Sequence, residues 1–170
     1  MLKFQIAVAT AALTANALKV GVISDMHTNL AYDSWVSDAD NCVAGGAKAT
    51  EEAPLGRINC DPSTAMIDFM FQRFTDVYGE VDVLLVPGDF IGHGIAPHLE
   101  VAVVSTDWPI VQSYIEASTN LLKKHFPNTL VLPTIGNNDG YHSQAVDESQ
   151  KSDYYGYLLN SWFVEYPGNA

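Results

Sequence analysis

Basic residues are scarce in this chain. Lys and Arg total 8 against 20 Asp and Glu, a formal charge of −12 with His neutral. Such a balance repels a DNA or RNA backbone, and no Lys/Arg cluster offsets it. Lys123 and Lys124 fall late in an expected helix, where cations suit the carboxyl-terminal dipole. A phosphate ester can approach so acidic a chain only with cations interposed, so the charge makes bound metal a requirement for phosphate chemistry. Cysteine is limited to Cys42 and Cys60, without the paired CxxC spacing of a structural zinc site. No Gly-rich loop precedes the first helix and no Walker lysine is present, against a nucleotide-binding P-loop. No Gly-x-Ser-x-Gly elbow supports a serine hydrolase. There is no Asn-x-Ser/Thr sequon.

What is present suits a globular domain. The 170 residues are 48% hydrophobic and 16% charged, enough for one domain with a sizeable core. Met1 to Ala17 reads as a signal peptide. Lys3 supplies the positive start, Phe4 to Ala15 is mostly apolar, and Ala15-Asn16-Ala17 offers a small-x-small cleavage site. It is shorter than the about 20 apolar residues a bilayer span needs, and no later segment is apolar enough for a transmembrane segment. A domain over 18–170 in a secreted or lysosomal/vacuolar setting follows. In that compartment Cys42 and Cys60 are expected to form a disulfide across a Gly-, Ala- and Asn-rich insertion.

Three apolar runs end in polar, chemically loaded residues. Lys19 to Ser24 leads into Asp25-Met26-His27. Val83 to Val86 stops at Pro87-Gly88, with Asp89 just beyond. Thr129 to Ile135 leads into Gly136-Asn137-Asn138-Asp139. Between the runs lie two helical patterns. Asp61-Pro62 marks a start with Asp61 as N-cap, then Ile67, Met70, Phe71, Phe74 and Tyr78 recur on one face, with the Met residues as core filler. Asp107 is a second N-cap, followed by Trp108, Val111, Ile115, Leu122 and Phe126. The order is strand, helix, strand, helix, strand. Right-handed βαβ units therefore bring the loaded ends to one sheet edge. Tyr32, Trp35 and Val36 are expected to pack part of the irregular stretch Asp25 to Gly56. Tyr154 to Tyr166 reads as a helix or docking segment.

On a tight turn Asp25 and His27 converge on one cation, Asp89 can bridge to a second, and the Asn137 amide oxygen can reach that second ion. Carboxylate, amide and imidazole donors suit Zn, Mn, Fe or Mg. Two such ions about 3.5–4 Å apart serve phosphoryl displacement.

The combination Asp25-x-His27, Gly88-Asp89 and Gly136-Asn137-Asn138-Asp139 resembles the calcineurin-like metallophosphoesterases. It is most similar to their acid-sphingomyelinase-like branch, which includes the endopolyphosphatases. That branch also has a cysteine insertion ending like Cys60-Asp61-Pro62, and a His four residues past the bridging Asp, matched by His93. The resemblance implies an α/β fold: the N-terminal half of a four-layer αββα sandwich, mostly one mixed sheet with covering helices. It implies two divalent metal ions, with Asp25 and His27 on the first, Asp89 bridging and Asn137 on the second. His93 would lie beside the scissile phosphate. Hydrolysis would proceed by direct attack of metal-activated water on a phospholipid headgroup, another phosphate-containing small molecule, or polyphosphate.

Two departures accompany the match. Asn138 stands where the family usually has His; Asn donates a hydrogen bond but is no general acid. Endopolyphosphatase-like members share that Asn. The family's later histidines, including a Gly-His-x-His block, do not occur in the sequence. Four direct ligands remain for two ions, and the second sheet is missing. An uncovered apolar face should therefore need a partner chain or destabilise the fold. A catalytically inactive secreted binding protein and a non-functional fragment are the competing classes. His98, His125 and His142 match no family position and read as structural or exposed.

Overall fold

A computed structural model describes residues 17–93, 108–139 and 151–164. The apolar runs form three short strands, β1 (Val20–Val22), β2 (Val83–Val86) and β3 (Leu130–Pro133), in the order β1-β2-β3 and all parallel. Sheet-like bonding continues past the ends. Ile23 N–H donates to Leu85 O at 3.0 Å and Thr134 N–H to Val86 O at 2.9 Å. The crossovers are α1 (Thr64–Tyr78) and α2 (Trp108–His125). This agrees with the N-terminal half of an αββα sandwich. Residues 1–16, with most of the expected signal peptide, lie outside the described residues, as do His98, Asp107 and His142.

The helical stripes bury unequally. Val111, Ile115, Leu122 and Phe126 are buried, with Trp108 packed against them. On α1 only Ile67 and Phe71 are buried; Met70 and Tyr78 are exposed at 45% and 64%, so Met70 is not core filler. The reason is that α1 has one covered side, facing α2 and the sheet, and the outer positions of the stripe overrun it. Asp68 on α1 clasps α2, accepting from Lys124 Nζ at 2.7 Å and lying 2.6 Å from His125 Nε2. These bonds, led by that to His125, hold the Asp68 carboxyl below its usual pKa. His125 is thus structural.

Asp61 is not the N-cap of α1. Ser63 holds that place, its hydroxyl accepting from Met66 N–H at 3.1 Å. Within the long loop, Val36 is buried and Tyr32 half-buried, while Trp35 stays exposed. The expected disulfide joins Cys42 to Cys60. At the far end, α3 (Lys151–Leu159) runs into a π-helical turn over Asn160–Val164. It docks through Tyr154 and Trp162, both buried, and Trp162 stacks on Phe90 at 5.1 Å.

Strand periodicity divides the sheet into two faces. Gly21, Leu84, Val86 and Val131 are buried. The register pairs Val20 with Val83 and Leu130, and Val22 with Leu85 and Leu132, so these six aliphatic residues share the other face. Five of them are exposed by 36% to 58%. An aliphatic sheet face of this kind is a binding surface or an aggregation surface. The isolated chain is expected to self-associate through it, with a light-scattering mass at least twice that of one chain. Leu85→Lys should shift the population towards monomer. A well-packed wild-type monomer would show that the face tolerates water.

Candidate metal centre at the strand ends

Beyond β1 and β2 the chain segments keep running side by side. Asp25 N–H donates to Gly88 O at 3.2 Å, His27 N–H to Asp89 O at 2.9 Å and Thr28 N–H to Phe90 O at 2.9 Å. The two loops thus stay side by side, with the bonding slipping by one residue between Asp25 and His27. Asp25, His27 and Asp89 all adopt left-handed backbone, with φ of 55°, 41° and 54°. Non-glycine residues rarely do this, and each instance stores of order 1–3 kcal/mol. The strain turns three side chains towards one point.

The Nε2 atom of His27 lies 3.8 Å from Asp25 Oδ1 and 3.7 Å from Asp89 Oδ2. These gaps are too long for hydrogen bonds. They suit donors that share one ion, each about 2.0–2.2 Å from it. The ligand atoms of the three residues all lie within 4.8 Å of one another. His27 Nδ1 lies 3.1 Å from Ile91 O. An Nδ1–H bond to that carbonyl leaves Nε2 as the lone-pair donor, the usual way a ligand His is oriented. Asp25 is the open member, with 63% of its side chain exposed against 16% for His27 and 12% for Asp89. The donor set fits a divalent cation.

The third loop closes on the same place. Asn138 N–H donates to Asp89 Oδ1 at 2.9 Å. Asn137, one residue earlier in that turn, is exposed. The approach requires glycine on both sides. Gly88 has φ of 88°, and a Cβ there would overlap the Gly136 backbone N and come within 2.7 Å of its Cα. A Cβ on Gly136 would reach Asp89 N at 2.5 Å. Beneath the turn lies Asp139, fully buried. One carboxylate oxygen accepts from Phe90 N–H at 2.7 Å and Ile91 N–H at 3.1 Å. The other accepts from Asp89 N–H and Gly136 N–H, both at 2.8 Å. Burial pushes its pKa above the ordinary carboxylate range, and the four N–H groups act against that push. Tyr154 donates its hydroxyl to Asp139 O at 2.9 Å; burial first, and the Asp139 charge second, raise that phenol's pKa and keep it a donor.

His93 stacks on His27, ring centroids 4.2 Å apart, and 63% of its side chain is open to solvent. Its Nδ1 lies 3.0 Å from Asp61 Oδ1. The structure therefore assembles Asp25, His27, Asp89 and His93, and sets the Asn137–Asn138 turn against Asp89. Sequence reasoning overlooked two organisers. Asp139 is visible as the last residue of Gly-Asn-Asn-Asp, but nothing local marks it as the buried anchor of the loops after β2 and β3. Asp61 reads locally as a helix cap. A separate cavity of about 250 Å³, lined by Glu116, Asn120, Tyr157 and Asn160 among others, contains none of these residues.

Comparison with known proteins agrees with the geometry. A family model described as calcineurin-like phosphoesterase matches residues 18–170. Acid sphingomyelinase-like phosphodiesterase 3b of Mus musculus is 27% identical over 141 residues, covering 82% of this chain and 29% of the relative. Cyclic GMP-AMP phosphodiesterase SMPDL3A of Homo sapiens is 28% identical with the same coverage, 82% and 29%. Endopolyphosphatase of Schizosaccharomyces pombe is 28% identical over 148 residues, covering 76% of this chain and 24% of the relative. The chain thus spans less than a third of the length of these relatives. It belongs to the calcineurin-like phosphoesterase family, as a distant relation of the acid-sphingomyelinase-like and endopolyphosphatase branch.

Proposed function

We propose that the chain carries part of the centre of a metal-dependent phosphodiester hydrolase. The convergence of Asp25, His27 and Asp89 on one point, through three strained backbone positions, carries this reading. Asp25, His27 and Asp89 would hold one cation, and Asp89 with Asn137 would serve a second. Divalent ions at these ligands supply positive charge for phosphate oxygens and lower the pKa of water. That charge also answers the −12 balance, which otherwise repels an anionic substrate. Water adds its oxygen to phosphorus as the phosphorus–oxygen ester bond breaks, and His93 in its imidazolium form gives the Nε2 proton to the leaving oxygen, yielding an alcohol and a phosphomonoester. Asn138, unable to act as an acid, offers a hydrogen bond. The Cys42–Cys60 disulfide supports an oxidising setting, secreted or within a lysosomal or vacuolar lumen. No described helix is long and apolar enough to cross a membrane. The aliphatic sheet face would be covered by a partner chain.

Two other readings make different predictions. The Gly-Asn-Asn-Asp block and the endopolyphosphatase relative favour phosphoanhydride cleavage. A secreted binding protein without turnover is the other. Purified chain with Mn²⁺ should release p-nitrophenol from bis(p-nitrophenyl) phosphate, and EDTA should abolish the release. Faster EDTA-sensitive shortening of polyphosphate would move the substrate to that class. Metal binding with no turnover of either substrate would overturn the hydrolase reading in favour of the binding protein.

A further inference from the structure

Among the described residues, the disulfide-stapled insertion meets the site through Asn41 and Asp61. Asn41 and Asp61, the residues immediately outside Cys42 and Cys60, face each other across the bridge. Asn41 Oδ1 accepts from Asp61 N–H at 2.6 Å, and its Nδ2 donates to Asp61 Oδ2 at 2.8 Å and to His93 O at 2.7 Å. Asn41 O is in turn held by Asn29 Nδ2 at 3.0 Å. Asp61 Oδ2 also accepts from His93 N–H, and Asp61 Oδ1 meets His93 Nδ1 at 3.0 Å. Gly92 leaves room for this carboxylate, since a Cβ there would stand 2.7 Å from Asp61 Oδ2.

We propose that Asn41 and Asp61, locked together by the Cys42–Cys60 disulfide, are positioning residues that fix the ring of His93. His27, Asp61 and His93 offer ligand atoms close enough together to hold a cation. Hydrogen-bond bookkeeping decides against that use. Asp61 has both oxygens occupied, one by the His93 ring and the other by the His93 main chain and Asn41. Its side chain is only 12% exposed, whereas the His93 side chain is 63% exposed. Asp61 therefore faces inward as an acceptor, and with Nδ1–H committed to it, Nε2 is the His93 nitrogen left for substrate. An exposed His ring has free rotation to lose; here the insertion removes it in advance, as precise proton transfer requires. The disulfide acts at a distance of one residue on each side, because reducing it frees Asn41 from Asp61.

This inference rests on the phosphodiesterase reading for its consequence but not for its geometry, and two measurements separate them. Long-range ¹H–¹⁵N spectra of the metal-free full chain should show His93 as a single Nδ1–H tautomer. Asp61→Ala, Asn41→Gly (which suits the left-handed φ of 52° at that position) and the paired Cys42→Ser/Cys60→Ser variant should each show mixed tautomers. In turnover the same variants should lose about tenfold to a hundredfold on a diester with an alkyl leaving group. They should lose under about threefold with p-nitrophenolate, which needs no proton. Their Mn²⁺ affinity should stay within about twofold, as expected for groups that do not touch the ion. Expected spectra without any turnover would leave the positioning role standing and remove the hydrolase reading. Unchanged His93 spectra in Asn41→Gly and in the cysteine pair would overturn the proposal, as would a loss of metal affinity in Asp61→Ala equal to that in Asp89→Asn.

Discussion

Asp89→Asn is expected to abolish tight metal binding. Asp89 Oδ2 stands 3.7 Å from His27 Nε2, while Oδ1 accepts from Asn138 N–H at 2.9 Å. One carboxylate therefore joins the first cluster to the turn that carries Asn137. Asn keeps the size but must turn an NH2 group either towards the cation or towards the Asn138 N–H, and both choices are repulsive. The negative charge that would offset two nearby cations is lost as well. Removal of an outer hydrogen-bond partner alone can weaken a metal site by about a hundredfold, so a direct ligand should exceed that. His93→Ala should behave differently. Its ring is bonded to Asp61 and only stacks on His27, so Mn²⁺ affinity should persist while turnover of a diester with an alkyl leaving group falls by about tenfold to several-thousandfold. Calorimetric titration beside a phosphodiester assay reads both effects. Equal metal affinity for wild type and Asp89→Asn would remove Asp89 from the centre.

Asp139→Ala should loosen the loops after β2 and β3 together. The buried carboxylate accepts four backbone N–H groups, those of Asp89, Phe90, Ile91 and Gly136. Alanine leaves these donors without an acceptor in a place water reaches poorly. Each buried unsatisfied group costs about 1–3 kcal/mol, and partial relaxation will recover some of the sum. A net loss of about 3 kcal/mol or more is expected, equivalent to over a hundredfold in local opening. Asp139→Asn should be little better, since its NH2 would confront two of the same donors. Hydrogen exchange at residues 89–91 and 136 measures the opening directly, and it does so whether or not the chain self-associates. Protection within about fivefold of wild type at those amides would show that Asp139 is not the anchor. Metal affinity should fall in the same variant, because the left-handed turn at Asp89 depends on the bonds that Asp139 makes.

The sequence by itself settled which elements form and in what order. Short β-branched and Leu-rich runs ending in Pro-Gly or Gly-Asn can only be buried strands or helical turns, and two long 3.6-residue patterns between them require parallel crossovers. That alone places Asp25, His27, Asp89 and Asn137 at one edge. It also identified the disulfide, since two cysteines in the oxidising compartment expected for this chain have few other partners. Where the reading depended on one residue's local neighbours, it failed when a distant residue competed. Asp61 before Pro62 is a good N-cap by local rules. Ser63 serves α1 instead, because His93, 32 positions away, takes the Asp61 carboxylate. Met70 and Tyr78 obeyed the helical period yet stayed in water, since periodicity names a face but not the width of what covers it. Asp139 carries no periodic signal. Its role arises when two loops bring four N–H groups to one buried point, a condition that only the tertiary structure creates. The strain at Asp25, His27 and Asp89 has the same origin: left-handed backbone at an Asp or a His is disfavoured locally, and only hydrogen bonds between loops far apart in sequence can hold it.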